Sequence, residues 1–119
     1  MHEASIAYSL LEMLEETARK ERADKVVKAV VKVGALSGVV VDSLIFAFEA
    51  MKDTFPSTTH AELVVEEVPL SYRCLECQLE FTRDDPFFPS CPSCGGVLLE
   101  QIGGEELDLE RVEMEENHV

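Results

Sequence analysis

CLECQLEFTRDDPFFPSCPSC, residues 74–94, is the stretch on which the reading of the whole chain turns. It carries all four cysteines of the 119-residue sequence as two C-x-x-C pairs, Cys74 with Cys77 and Cys91 with Cys94, with 13 residues between the pairs. Two thiolates two residues apart on a tight turn point at one ion, and two such turns complete a tetrahedron. Gly95-Gly96 after the second pair lets the chain turn sharply and brings backbone N–H groups toward the sulfurs. Disulfides require an oxidising compartment, and the N-terminus lacks the basic and apolar regions of a secretory leader. A redox dithiol needs one C-x-x-C at a helix start after a strand, not two in an irregular segment. Zinc and tetrathiolate iron both suit the ligand set; closed tetrahedral zinc is the structural use, and iron is the alternative. Such a site has no open coordination position, so it folds the segment and does not catalyse.

Outward from this stretch the sequence becomes periodic on both sides. Residues 69–101 hold the cysteines and most of the prolines and show no sustained period. Before them, residues 4–20 read as an amphipathic helix with Ile6, Leu10, Met13, Leu14 and Thr17 at helical spacing. KVVKAVVKV, residues 25–33, reads as a strand with one buried face, Val27, Ala29, Val31 and Val33, and a partly polar one with Lys28 and Lys32. Gly34-Ala-Leu-Ser-Gly38 breaks that pattern, and Asp42 or Ser43 is placed to cap a helix over 42–54 with Leu44, Phe46, Phe48 and Met51 as its apolar residues. Ala61–Val68 reads as a second strand. After Gly103-Gly104 a third follows in ELDLERVEME, whose phase slips at Glu110-Arg111 and suggests a bulge or twist there. The fold class expected is α+β, a two-layer arrangement of two helices on a three-stranded mixed sheet with an inserted zinc-ribbon-like module. The domain division expected is 1–68 plus 102–119 for the α/β domain and 69–101 for the zinc module.

Charge narrows the partners. The chain has 24 acids against 10 bases, a net charge of −14, whereas nucleic-acid binders draw their affinity from Lys and Arg on phosphates. Between Val68 and Gly104 the only bases are Arg73 and Arg83, so a nucleic-acid role for the ribbon fails on charge. No apolar run approaches the roughly 20 residues of a membrane span, so the expectation is a cytoplasmic protein with no membrane span. No catalytic Ser/His/Asp set, phosphate loop or paired carboxylates is visible, and the expectation is a carrier, not an enzyme.

The sequence opens Met1-His2-Glu3. A free terminal amine, the His2 amide and the His2 imidazole can close a five- and a six-membered chelate ring on an ion that displaces an amide proton. Nickel(II) and copper(II) favour such nitrogen-rich tetragonal sites. Glu3 offers a further ligand through its carboxylate or its amide. Spacing alone makes this a weak signal, since a histidine at position 2 is usually just solvated. The site also requires that nothing precede Met1.

Taken together, several stretches resemble the HypA/HybF family of hydrogenase nickel-incorporation proteins: the opening MHE before an amphipathic helix, V-x-V-G-A-L-S-G-V at Val31–Val39, the two C-x-x-C pairs, and G-x-E-L at Gly104–Leu107. The resemblance covers essentially the whole chain. It implies a nickel metallochaperone that delivers Ni2+ as cargo during [NiFe]-hydrogenase maturation, and in some organisms urease maturation. It maps nickel onto His2 with Met1 and Glu3 nearby, and structural Zn2+ onto Cys74, Cys77, Cys91 and Cys94. The partners it implies are a maturation GTPase of the HypB type and the hydrogenase large-subunit precursor; exposed strand edges leave a homodimer open. This chain departs from some members in having no histidine beside the zinc cysteines. His60 in a loop and His118 in the tail read as solvated. The reading that competes is a zinc-ribbon interaction module with no nickel role, and behind it a tetrathiolate-iron electron carrier, which visible absorption would betray.

Overall fold

The computed structural model describes residues 3–84 and 89–116. Its elements, in chain order, are helix α1 (Glu3–Lys20), strand β1 (Lys25–Gly34), helix α2 (Val41–Met51) and strand β2 (Glu62–Val68), followed by β3 (Leu70–Cys74), β4 (Glu80–Arg83), β5 (Leu99–Gly103) and β6 (Leu107–Glu115). Two three-stranded sheets result, ordered β2-β1-β6 and β4-β3-β5. The chain divides into two compact units. One takes the chain up to Lys32, Gly38–Glu66 and the chain from Asp108 on; the other takes Val33–Ser37 and Glu67–Leu107.

In the first unit α1 forms because apolar residues recur every three to four positions through a run of good helix formers. Its buried face is Ala7, Leu10, Leu11, Leu14 and Ala18. That stripe is turned from the one expected: Leu10 and Leu14 are on it, but Met13 is 45 % exposed and Ile6 and Thr17 are only half-buried. Hydrophobicity alone favoured Met13 over alanine, yet Ala7 and Ala18 are the residues small enough for close packing. The helix ends with Ala23 N–H donating to Ala18 O at 2.8 Å and Arg22 N–H to Arg19 O at 3.2 Å, around a left-handed Arg22 with φ 56°. This is a Schellman stop built without the usual glycine.

β1 is the central strand and is buried on both sides: Val26 and Val30 are covered as fully as Ala29, Val31 and Val33, whereas Val27 is half-buried. The face carrying Lys28 and Lys32 is partly polar, as expected, but Val26 and Val30 on that face are covered as well, and Val27 on the other is less buried than expected. Its lysines reach glutamates on both neighbours. Lys28 pairs with Glu62 and Lys32 lies near Glu66, so β1 and β2 advance together and are parallel. Lys25 pairs with Glu115 and Lys32 with Glu110, which run in opposite senses and make β6 antiparallel. The sheet is mixed, and β1–α2–β2 is a parallel crossover unit. Along β6 the half-buried residues are Leu109, Val112 and Met114, so the phase breaks at Glu110-Arg111 as the sequence suggested.

α2 differs from expectation at both ends. Its N-cap is Val40, with no side-chain capping bond, and neither Asp42 nor Ser43 serves. It stops at Met51 and continues as 3₁₀ turns over Lys52–Thr54 and Pro56–Thr58, where the buried Thr58 hydroxyl donates to Lys52 O at 2.7 Å. Leu44 and Phe48, one turn apart, are its buried residues, while Phe46 is 76 % exposed.

The second unit contains what the sequence left irregular. β3 pairs antiparallel with β4 (Leu70↔Arg83 to Arg73↔Glu80) and with β5 (Ser71↔Gly103 to Cys74↔Leu99). Leu70, Tyr72 and Cys74 alternate on its buried face. Gly34 belongs to this unit for a steric reason. A Cβ there would overlap the Gly104 carbonyl group and the Glu105 nitrogen. The backbones touch because Gly34 N–H donates to Glu106 O at 2.7 Å and Leu36 N–H to Gly104 O at 2.6 Å. Gly34→Ala is expected to destabilise the protein by about 3 kcal/mol, since only backbone movement can relieve the overlap. Urea unfolding checks it: the midpoint should drop sharply with little change in slope.

Candidate metal centre

Each cysteine pair sits in a turn with the same hydrogen-bond plan. Cys74 N–H donates to Leu79 O at 2.8 Å and Gln78 N–H returns to Cys74 O at 2.8 Å. In the second pair Cys91 N–H donates to Gly96 O and Gly95 N–H to Cys91 O, both at 2.9 Å. The fifth position of each turn is left-handed, Gln78 at φ 68° and Gly95 at φ 73°. Gly95 meets this at no steric cost, and Gln78 accepts a strained conformation to do the same. The sequence reading missed Gln78, although its offset from Cys74 matches that of Gly95 from Cys91. Leu75 N–H donates to Leu98 O at 2.9 Å and ties the first turn to the chain leaving the second.

The four Sγ atoms lie within 4.8 Å of one another. Cys74 Sγ is 3.6 Å from Cys94 Sγ, and Cys77 Sγ is 3.5 Å from Cys91 Sγ. Zinc–sulfur bonds of about 2.3 Å in a tetrahedron require sulfurs about 3.8 Å apart. The donor set and spacing therefore fit a structural zinc ion. Cys74 and Cys91, the first of each pair, are buried; Cys77 and Cys94 are exposed. His60 is exposed and is no part of this cluster, and His118 lies outside the described residues.

Crowding divides the thiols in acidity. Cys91 accepts from the Cys94 and Ser93 backbone amides and from neighbouring thiols, and these outweigh burial to bring it down to about 6. Cys94 accepts from Gly96 N–H, which lowers it, but the Cys74 thiol, burial and the remaining thiols together push it up to about 12. Cys77 accepts from Leu79 N–H, yet the Cys91 thiol and burial raise it. A divalent cation removes this competition by taking all four as thiolates. Zinc uptake by metal-free protein at pH 7 should therefore release fewer protons than there are thiols, because Cys91 is already largely ionised. Zinc affinity should fall as pH is lowered and steepen below about pH 6, where Cys91 also protonates. Competition titration against a chelator across pH measures both.

The two bases of the module are occupied structurally. Arg73 bridges Glu100 at 2.9 Å and Glu80 at 3.3 Å across its two neighbouring strands. Arg83 stacks on Phe81, 5.3 Å from the ring centroid, and donates to Ser90 O at 2.7 Å, steadying the residue before Cys91. Neither was legible as a support for the site, since the sequence gives only their number.

Of the expected nickel residues, Met1 and His2 lie outside the described residues. Glu3 opens α1, half-buried, and its carboxylate Oε2 accepts the Val40 N–H at 3.2 Å.

A family model described as hydrogenase/urease nickel incorporation, metallochaperone, HypA, matches residues 1–114. The chain belongs to the HypA family. Curated relatives agree: the hydrogenase maturation factor HypA of Solidesulfovibrio magneticus is 42 % identical over 118 residues, 97 % of this chain and all of the relative. That of Wolinella succinogenes is 41 % identical over 116 residues, 97 % of this chain and 96 % of the relative. The solution structure of the Ni metallochaperone HypA from Helicobacter pylori superposes with a TM-score of 0.68 at 26 % identity, covering 98 % of this chain and all of that one. A second HypA solution structure gives 0.72 at 27 % identity, covering 96 % of both chains. The α+β fold and the HypA membership expected from the sequence hold, with one addition: the cysteine segment folds as a three-stranded sheet of its own. No helix among the described residues is long and apolar enough to cross a membrane.

Proposed function

We propose that this protein is a nickel carrier that takes up Ni2+ at Met1-His2-Glu3 and hands it on during [NiFe]-hydrogenase maturation, with a structural zinc ion on Cys74, Cys77, Cys91 and Cys94. The observation that carries the reading is the HypA match over residues 1–114, which includes the opening Met-His-Glu. The naming of the Helicobacter pylori relative as a Ni metallochaperone supports nickel as the cargo. His2 supplies its imidazole and deprotonated amide, Met1 its amine, and Glu3 a further contact. The division of labour proposed is 1–68 with 102–119 for nickel and 69–101 for zinc. The protein performs no catalysis. GTP hydrolysis belongs to a partner GTPase of the HypB type, and the recipient is the hydrogenase large-subunit precursor, reached in the cytoplasm; urease maturation is a second outlet for the same cargo.

Calorimetric titration of Ni2+ into zinc-loaded protein that begins at a free Met1 tests the reading. It should show roughly one nickel per chain with zinc content unchanged. Nickel uptake that scales with zinc loss would place nickel on the cysteines and refute the terminal site.

A further inference from the structure

Helix α2 begins with an unusual cap. Val40 stands at the N-cap position, φ −85° and ψ 109°, and its carbonyl accepts Leu44 N–H at 3.0 Å. A valine side chain cannot accept from the exposed amides of the first turn, and a side-chain cap is absent. In a capping box the third helical residue is a Glu or Gln that reaches back to the N-cap N–H. That position here is Ser43, which is too short. The bond is made instead by Glu3, 37 residues earlier, whose Oε2 accepts Val40 N–H. Glu3 also lines a groove between the two helices with Ala4, Ser43, Phe46, Ala47 and Met51.

We propose that Glu3 is a positioning residue for nickel and not a carboxylate ligand: its side chain is the missing half of the α2 capping box. The inference rests on the terminal-site reading above and refines it. A carboxylate that holds an N–H at the positive end of a helix has part of its charge already neutralised and is a poorer donor to a cation. The same bond restrains the backbone of Glu3, whose own amide, in the His2–Glu3 peptide, is the donor that Glu3 would offer in place of its carboxylate. A chelate built on that peptide then loses less conformational entropy when it closes.

Both ends of the bond can be removed. Glu3→Ala deletes the acceptor. Val40→Pro deletes the donor while leaving the carboxylate in place, and the Val40 φ is close to that of proline. Nickel affinity should fall about tenfold in either variant, and the double variant should be no weaker than either single one. Glu3→Gln keeps a carbonyl acceptor and should recover most of the affinity lost in Glu3→Ala. The visible d–d bands of bound nickel should keep their positions throughout, because the donor atoms do not change. The role is overturned if Val40→Pro binds nickel as tightly as wild type, or more tightly, while Glu3→Ala and Glu3→Gln lose affinity equally with shifted bands. A measurement independent of the proline variant is amide exchange at Val40, protected in the wild type and fast in Glu3→Ala; equal protection overturns the bond itself. Nickel binding that survives His2→Ala would instead remove the terminal site and with it any positioning role. A wild-type result for Val40→Pro removes the role of Glu3 alone.

Discussion

Nickel binding should be lost, by at least 100-fold on an order-of-magnitude estimate, when His2 is replaced by alanine in a protein that begins at a free Met1. The substitution deletes the imidazole and opens the six-membered ring, so an ion that keeps the amine and amide holds only one chelate ring. Adding a few residues ahead of Met1 should do equal damage by a different route, since it turns the terminal amine into a second amide that can donate only after losing its proton. Neither change touches a cysteine, so zinc content stays constant and serves as the internal control. The preference should be for nickel(II) and copper(II) over zinc(II), because displacing an amide proton suits tetragonal ions. Equilibrium dialysis with metal analysis measures all of this. Wild-type affinity in both variants would disprove the terminal site, and a loss as large in His60→Ala as in His2→Ala would place a second imidazole where the sequence gives no reason for one.

The second large effect is on stability. Stripping zinc, or replacing Cys74 and Cys91 with serine, should unfold the β4-β3-β5 sheet. Among its described residues, and beyond the cysteines, that unit buries few apolar side chains, Val33 on β1 with Leu70 and Tyr72 on β3, and its turns are held by a handful of backbone bonds. Structural zinc contributes on the order of 10 kcal/mol in small cysteine-rich modules, more than a core of that size supplies. Amide signals from β3, β4 and β5 should collapse toward unfolded positions, while those of α1, whose burial rests on Leu11 and Leu14, persist. Readdition of zinc should restore them. A metal-free protein that kept its β3 exchange protection would show that the sheet does not depend on the ion.

What the sequence revealed follows from how local each signal is. The ends of α1 and the span of β1 were legible because periodic burial is written into neighbouring residues. Which face of α1 is buried was not, since the choice of Ala7 and Ala18 over Met13 depends on how closely another element approaches. The cap of α2 was misread for the same reason: Asp42 and Ser43 are local candidates, and the bond comes from Glu3. β3, β4 and β5 escaped because runs of four or five residues interrupted by metal turns carry too few periods to detect. The cysteine cluster was the opposite case. Ligand spacing within a turn is a local property, so the site could be named before its sheet, whereas the tether from Arg83 to Ser90 needed the folded chain.

The alternation of buried and exposed cysteines also sets how a zinc ion would leave. Cys74 and Cys91 are backed by protein, and Cys77 and Cys94 face solvent. With zinc in place, Cys77 and Cys94 would be the ligands that a chelator or small thiol reaches first, while Cys74 and Cys91, one from each turn, would be shielded from it. Zinc loss should therefore depend on chelator concentration and on substitution of Cys77 or Cys94 more than on global stability.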